Sequence, residues 1–240
     1  MTKIVKRGYV PEDEIEFNER SVEKLIRAGA DVHYLLNQGY PVKSATTFVG
    51  NHYLFSERQR LALARAISSK ESIRTRKEKE LQEIPEGSTV HIDGFNTIIS
   101  LEVALSGTLL LKCMDGTVRD LAALRGTYRL IDKTDTAILL VGRMLERLGA
   151  GKAVFYLDAP VSNSGRLKQR ITELLGGYSF ALQIEVIPGV DSVLEKLDHV
   201  ITGDAIILDK CVSWINLNRR ILEENMPEYS YVNFEVLNEG

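Results

Sequence analysis

The segment AVFYLD at residues 153–158 is the clearest indication of the fold of this chain, because five apolar residues are followed by an acid. A short apolar run of this kind predicts a strand buried on both faces of a sheet. Three comparable runs are TVHID (89–93), LQIEVI (182–187) and HVITGD (199–204). Amphipathic segments predict helices at 132–148, 164–175 and 191–197. Strands that alternate with helices predict an α/β fold with a mainly parallel sheet covered on both faces.

The first 84 residues differ from the rest in charge and in pattern. They contain 15 Lys/Arg and 12 Asp/Glu, a net charge of +3, whereas residues 85–240 contain 15 and 21, a net charge of −6. The change falls at 84–88, where Pro85 and Gly87 favour a boundary. We therefore expect a small all-helical basic domain at 1–84, followed by an α/β domain at 88–240.

Apolar spacings of three and four predict the helices of this first part. They are a helix from Ser21 to Ala30, a second one capped by Asp31, a short one at 44–51, and a long one that begins at Ser56 and runs through the basic residues. Residues 58–79 contain eight Lys/Arg and two Glu, a net charge of +6. This segment is either a solvated helix face or a surface that binds a polyanion.

Composition excludes several classes of protein. The chain has 44% apolar and 26% charged residues, as ordinary globular proteins do. It contains no run of about 18 apolar residues for a membrane span, and its N-terminus has no signal-peptide core, so we expect a cytoplasmic protein. Two cysteines, Cys113 and Cys211, are too few for a disulfide scaffold or a thiolate zinc site.

Acidic residues stand where the predicted strands end. Asp93, Asp158 and Asp204 close three strands, and Asp191 opens the helix after the fourth. Taken singly, an Asp at each of these positions is typical of a turn or a helix N-cap. Ligands bind at the carboxyl edge of an open parallel sheet, where we expect all four to meet. Their mutual repulsion, about 4 kcal/mol per close pair at an effective dielectric constant of 20, would be relieved by a cation.

The residue types at this edge restrict the chemistry. Carboxylate ligands suit Mg²⁺ or Mn²⁺, whereas zinc prefers His or Cys. None of the four histidines forms a ligand pair, and neither a catalytic-triad elbow nor a phosphate-binding glycine loop is present. Hydrolysis of a phosphodiester by metal-bound water needs only clustered carboxylates and bound cations.

Four motifs resemble, in order and spacing, the NYN nucleases of the PIN-like superfamily. They are DGFN (93–96), FYLDAP (155–160), PGVDSVLE (188–195) and VITGD (200–204). The resemblance covers about residues 88–212 and implies a PIN-like three-layer α/β fold. It also implies that Asp93, Asp158, Asp191 and Asp204 bind divalent metal and that Asn96 orders the site. The whole chain further resembles an archaeal group of unknown function with a helical N-terminal domain, which implies no activity.

One segment departs from the pattern of the smallest members of that superfamily. Residues 109–130 include a turn at Asp115-Gly116 that predicts a hairpin. Either Asp115 or Asp120 joins the site, or the arginines contact phosphate, or the segment is a purely structural hairpin lid; the arginines are Arg119, Arg125 and Arg129. Asp209 is a further candidate ligand, although we favour it as the N-cap of a helix containing Trp214, Leu217 and Ile221.

We therefore expect a metal-dependent nuclease that cleaves RNA, and we expect that RNA to be single-stranded. The basic helices would hold the strand. A non-catalytic PIN-like protein that binds RNA or a partner is the alternative. An aspartyl phosphatase fits poorly, because Phe95 occupies the position two residues after Asp93 where the general acid is expected.

Overall fold

A computed structural model describes residues 5–122 and 126–238. The helices are α1 (Asp13–Glu16), α2 (Glu19–Asn37), α3 (Val42–His52), α4 (Glu57–Ala66), α5 (Lys70–Lys79), α6 (Gly94–Leu105), α7 (Thr134–Arg147), α8 (Ser164–Leu175), α9 (Val190–Leu194), α10 (Ala205–Lys210) and α11 (Leu217–Asn225). The strands are β1 (Thr89–Asp93), β2 (Leu110–Lys112), β3 (Val118–Asp120), β4 (Lys152–Asp158), β5 (Ala181–Ile187), β6 (Val200–Ile201) and β7 (Tyr231–Asn233). A short 3₁₀ helix covers Glu235–Asn238.

The main sheet is parallel, as the sequence predicts. Its order is β5-β4-β1-β6, so β1 lies in the middle with β4 and β6 as its neighbours. Side chains of β4 alternate between two apolar clusters: Phe155 and Leu157 pack with α6, α7 and α8, whereas Val154 and Tyr156 pack with α9 and α10. The protein is thus an α/β protein with helices on both faces of a parallel sheet.

A second, smaller sheet joins the two parts of the chain. The expected hairpin pairs β2 with β3, and β7 adds to the other edge of β2, giving the order β3-β2-β7. Leu111 and Phe234 of this region share one buried cluster with Leu25, Val32 and Leu63 of the N-terminal helices. The charge boundary near residue 84 therefore does not separate two hydrophobic cores.

The N-terminal helices differ from the expected ones in two places. Helix α2 continues through Asp31, whose carboxylate accepts a hydrogen bond from the Tyr53 hydroxyl instead of capping a helix. Ser56 caps α4 through a capping box with Gln59, as predicted, but the expected long helix breaks after Ala66. Ser69 then caps α5, because its hydroxyl accepts the Ser72 N–H.

Helix α6 directly follows β1, where the sequence pattern shows no helix. It is apolar on nearly all sides, so it lacks the one-sided periodicity that marks a surface helix. Gly94 allows its close approach to β4, since a Cβ there would lie 2.6 Å from Leu157 Cδ2 and 3.0 Å from the Tyr156 carbonyl oxygen. Asp93 and Asn96 consequently stand at the start of a buried helix.

Within residues 5–122 and 126–238, none of the helices combines the length and the apolar character that crossing a bilayer requires.

Candidate active site

The strand order brings the predicted acids to one edge of the sheet. Asp93 ends the central strand β1 and Asp158 ends its neighbour β4. The expected strand at 199–204 is shorter, because β6 stops at Ile201 and Asp204 instead begins α10. Asp191 lies in the first turn of α9, after β5. All four carboxylates thus follow the carboxyl ends of strands in the parallel sheet, where ligands bind in such folds.

Asp93 is the most buried of the four, with 8% of its surface exposed. Its Oδ2 accepts a hydrogen bond from the Thr202 hydroxyl at 2.8 Å, and its Oδ1 accepts the Asn96 N–H at 3.4 Å. Burial raises the pKa of Asp93 from 3.8 to about 7, and the charges of Asp204 and Asp191 act in the same direction. Asp93 is therefore an acid whose charged form the protein alone stabilises poorly.

Of the other three acids, Asp204 and Asp158 each accept a backbone N–H, and both repel Asp191. Asp204 Oδ1 accepts the Ile206 N–H at 2.8 Å and thereby caps α10. Asp158 Oδ1 accepts the Val190 N–H at 3.3 Å at the start of α9. The pKa of Asp191 is raised by partial burial and by the charges of Asp204 and Asp158. The four carboxylates therefore form one electrostatically coupled group.

Asn96 orders the turn that carries Asp204. Its Oδ1 accepts the Gly203 N–H at 2.7 Å, while Arg119 Nε donates to the Gly203 carbonyl oxygen. The Thr202 hydroxyl also accepts the Asp204 N–H at 3.0 Å, which connects this turn to Asp93. Sequence reasoning missed Thr202 and Gly203 as site residues, although both lie inside the VITGD motif.

The described part of the chain forms no direct ion pair with this group, although the charges of Arg119 and Lys210 act on Asp204 and Asp191. In 5–122 and 126–238, none of the four acids is ion-paired with a Lys, Arg or His side chain. Over the same ranges, no three His, Cys, Asp or Glu side chains stand close enough to surround one ion. Mg²⁺ commonly uses only one or two protein carboxylates together with water and substrate phosphate, so the donor set still suits it.

The acids of the hairpin segment are paired elsewhere. Asp115 is buried between Arg76 and Arg119; burial opposes its charge, yet these two cations hold its pKa at about 2. Asp120 accepts the Ser100 hydroxyl at 2.7 Å. Arg125 lies outside the described residues, and the backbone carbonyl of Arg129 accepts a hydrogen bond from Arg7.

Asp209 has a different role from the N-cap expected for it. It lies inside α10 and accepts a hydrogen bond from Arg76 Nε at 2.7 Å, whereas Asn216 precedes α11. Trp214 lies before α11 and donates from Nε1 to the Arg76 carbonyl oxygen. The N-cap expected at Asp209 was wrong, because Asp209 lies within the short helix α10 and the next helix, α11, begins only at Leu217.

Much of the basic segment is engaged within the protein. Six of its eight cations contact carboxylates, side-chain amides or backbone carbonyls: Arg58, Arg60, Arg65, Arg74, Arg76 and Lys79. Arg76 is only 3% exposed. Contacts within the protein thus hold six of these side chains in place, and burial withdraws Arg76 from any surface that binds a polyanion.

A cavity of about 760 Å³ lies between the N-terminal helices and the carboxylate edge. One side is lined by Tyr40, Val42 and Arg65, and the other by Asn96 and Asp204. We call it the junction cavity. The helical part of the chain therefore forms one wall of a cavity whose other wall includes residues of the candidate site.

The raised pKa of Asp93 predicts a pH dependence of stability. In metal-free protein the native state retains the Asp93 proton between pH 4 and 7, whereas the unfolded chain has lost it, so stability falls as pH rises through this range. Asp93→Asn should therefore show a smaller fall in the free energy of unfolding over this pH range, the difference being up to a few kcal/mol. Urea unfolding in EDTA at pH 5 and pH 8 measures it, and equal pH slopes for both proteins would contradict a buried, proton-retaining Asp93.

Comparison with known proteins gives the relationships of the chain. Residues 24–79 match the family described as protein of unknown function (DUF434), and residues 82–220 match the domain of unknown function (DUF5616). The chain is 37% identical over 190 residues to the uncharacterized protein MJ0935 of Methanocaldococcus jannaschii, covering 78% of this chain and 89% of that protein. No solved structure matches. The chain belongs to the DUF5616 family, with a DUF434 region before it.

Proposed function

We propose that this protein is a metal-dependent nuclease that hydrolyses phosphodiester bonds of RNA, with a PIN-like, NYN-type α/β domain. The observation that carries the proposal is the convergence of Asp93, Asp158, Asp191 and Asp204 at one sheet edge, where none of them forms a direct ion pair with a Lys, Arg or His side chain of the described residues. Such a group is costly in the metal-free protein, and a bound divalent cation offsets that cost.

The residues present fit Mg²⁺ or Mn²⁺. Asp93, Asp191 and Asp204 influence one another's charge and supply only oxygen ligands, and Asp158 extends the group through Asp191. A bound metal supplies a deprotonated water as nucleophile and neutralises charge on the phosphate. The cation would also favour the charged form of Asp93, whose pKa burial has raised to about 7.

The remaining residues hold these acids in position. The Thr202 hydroxyl donates to the Asp93 carboxylate and accepts the Asp204 N–H, so one side chain holds the Asp93 carboxylate and the Asp204 backbone in position. The Asn96 side chain accepts the Gly203 N–H, and Arg119 donates to the Gly203 carbonyl oxygen, so the two side chains fix the position of Gly203. A site whose acids are fixed by such contacts loses little conformational freedom when it binds metal and substrate.

A non-catalytic binding protein is the second candidate. It is favoured by the capping hydrogen bonds of Asp93 and Asp204, since each carboxylate already stabilises the start of a helix. In that case these acids are structural, and the protein binds RNA or a protein partner without cleaving it.

Thermal unfolding with Mn²⁺ distinguishes the two. Metal that binds only the native state at a hundred times its Kd adds about 2.7 kcal/mol, which corresponds to a rise in Tm of about 5 to 10 °C. Asp204→Asn keeps a side chain that can cap α10 but removes a charge, so we expect its Tm to respond weakly or not at all. A wild-type Tm unchanged at about 10 mM Mn²⁺ would favour the binding protein, because such a concentration saturates sites of sub-millimolar Kd.

A further inference from the structure

We propose that the junction cavity binds one unpaired nucleotide unit, with its base between the N-terminal helices and α6 and its phosphate toward Arg65. The orientation of the nucleotide rests on the proposed function, because the cavity adjoins Asp204 of the proposed metal site. The inference assigns the substrate-binding role of the N-terminal helices to the walls of this cavity, whereas the sequence alone assigns it to their net charge.

The walls of the cavity suit a flat ring. Tyr40, Val42 and Ile206 line it and are 55%, 42% and 58% exposed, respectively. The buried residues Phe95 and Ile99 of α6 line the same cavity. Exposed tyrosine beside apolar walls is the surface on which proteins stack the unpaired bases of single-stranded nucleic acid.

A cation lies among the residues that line the same cavity. The side chain of Arg65 is 35% exposed; its Nη1 donates to the Asp120 carbonyl oxygen and lies 3.5 Å from Asp120 Oδ1. A guanidinium has five N–H donors and both contacts use Nη1, so its other nitrogens have donors for a phosphate. Apolar walls together with a cation match a ligand that combines a ring with a phosphate.

Position and volume agree with a single nucleotide. Asn96, Gly203 and Asp204 belong to the cavity lining and to the carboxylate site, so the two are continuous. A volume of about 760 Å³ lies in the range of small-molecule sites, roughly 300 to 1,000 Å³. A base must leave its stack and its pairing partner to enter such a cavity, which selects unpaired strands.

Isothermal titration of the full chain in EDTA tests this proposal without any metal-dependent reaction. The probes are AMP, GMP, CMP and UMP, with ribose 5-phosphate as the ligand that lacks a base. Tyr40→Ala removes the stacking surface, and Val42→Trp fills the cavity from the exposed first turn of α3. Tyr34→Ala and Val212→Trp are the matched controls, because both positions are 63% exposed and neither lines the cavity.

We expect at least one nucleotide to bind with a Kd below 1 mM and ribose 5-phosphate to bind at least tenfold more weakly. Tyr40→Ala and Val42→Trp should each raise the nucleotide Kd about tenfold or more, whereas the controls should leave it within twofold. The proposal is overturned if no nucleotide binds, if ribose 5-phosphate binds equally well, or if the cavity variants behave like their controls. Nucleotide binding in EDTA does not require metal. If a nucleotide binds in EDTA but the protein does not cleave RNA when Mn²⁺ is supplied, the proposed function alone is rejected.

Discussion

Asp93→Asn and Asp204→Asn should each lower the rate of RNA cleavage in Mn²⁺ or Mg²⁺ by several orders of magnitude. Each change removes a charged ligand, so the bound metal and the nucleophile that it generates are lost together. The fold should survive, since Asn can accept the hydrogen bond that each Asp accepts at the start of α6 or α10. Cleavage of a labelled single-stranded RNA measures the rate, and circular dichroism checks the fold.

Asp198→Asn is the matched control for this experiment. Its carboxylate is 57% exposed and precedes β6, at the opposite end of the sheet from Asp204. The same charge is therefore removed outside the candidate site, and activity should stay within about twofold of wild type. If Asp93→Asn and Asp204→Asn both cleave as fast as wild type, the nuclease proposal is wrong.

Asp115→Ala should cause the largest loss of stability, about 3 to 5 kcal/mol, because it leaves two buried cations without their shared anion. Arg76 and Arg119 both pair with Asp115 Oδ2, and the side chains of all three are at most 7% exposed. For a chain of this size the loss corresponds to a fall in Tm of about 6 to 20 °C. Urea unfolding and thermal melting measure it.

Asp135→Ala provides the comparison at the surface. Asp135 pairs with Arg170 through two hydrogen bonds, but the side chains are 46% and 35% exposed. Solvent screens this pair, so we expect a loss of at most about 1 kcal/mol. Equal losses for the two variants would show that Asp115 is not part of a desolvated ion network.

The stability that Asp115 contributes through Arg76 and Arg119 should be lost in strong acid. The pKa of Asp115 is lowered to about 2 in the folded protein, so its contribution to stability is present above the ordinary value of 3.8 and is lost as pH falls through about 2. The pKa of Asp93 is shifted in the opposite direction. The two buried aspartates therefore have opposite effects on the pH dependence of stability.

The parallel strands could be predicted because each is a short apolar run with an acid at or near its end. Strands β1, β4 and β5 were found within one residue at each end, since a buried strand depends on its own side chains. Helix α6 could not be found in this way, because a helix buried on all sides shows no polar face. Strand β7 was missed for a related reason: three residues, YVN, are too short for a periodic pattern.

The α/β class of the C-terminal part, the parallel sheet and the positions of Asp93 and Asp158 at strand ends all follow from sequence patterns. Which charges are neutralised depends on the folded arrangement, because Arg76 meets Asp115 and Asp209 from distant parts of the chain. The folded arrangement likewise determines that the N-terminal helices share a core with the small sheet and enclose a cavity beside Asp204. Local propensity and periodicity describe each segment alone, whereas ion pairing and enclosure depend on which segments meet in space.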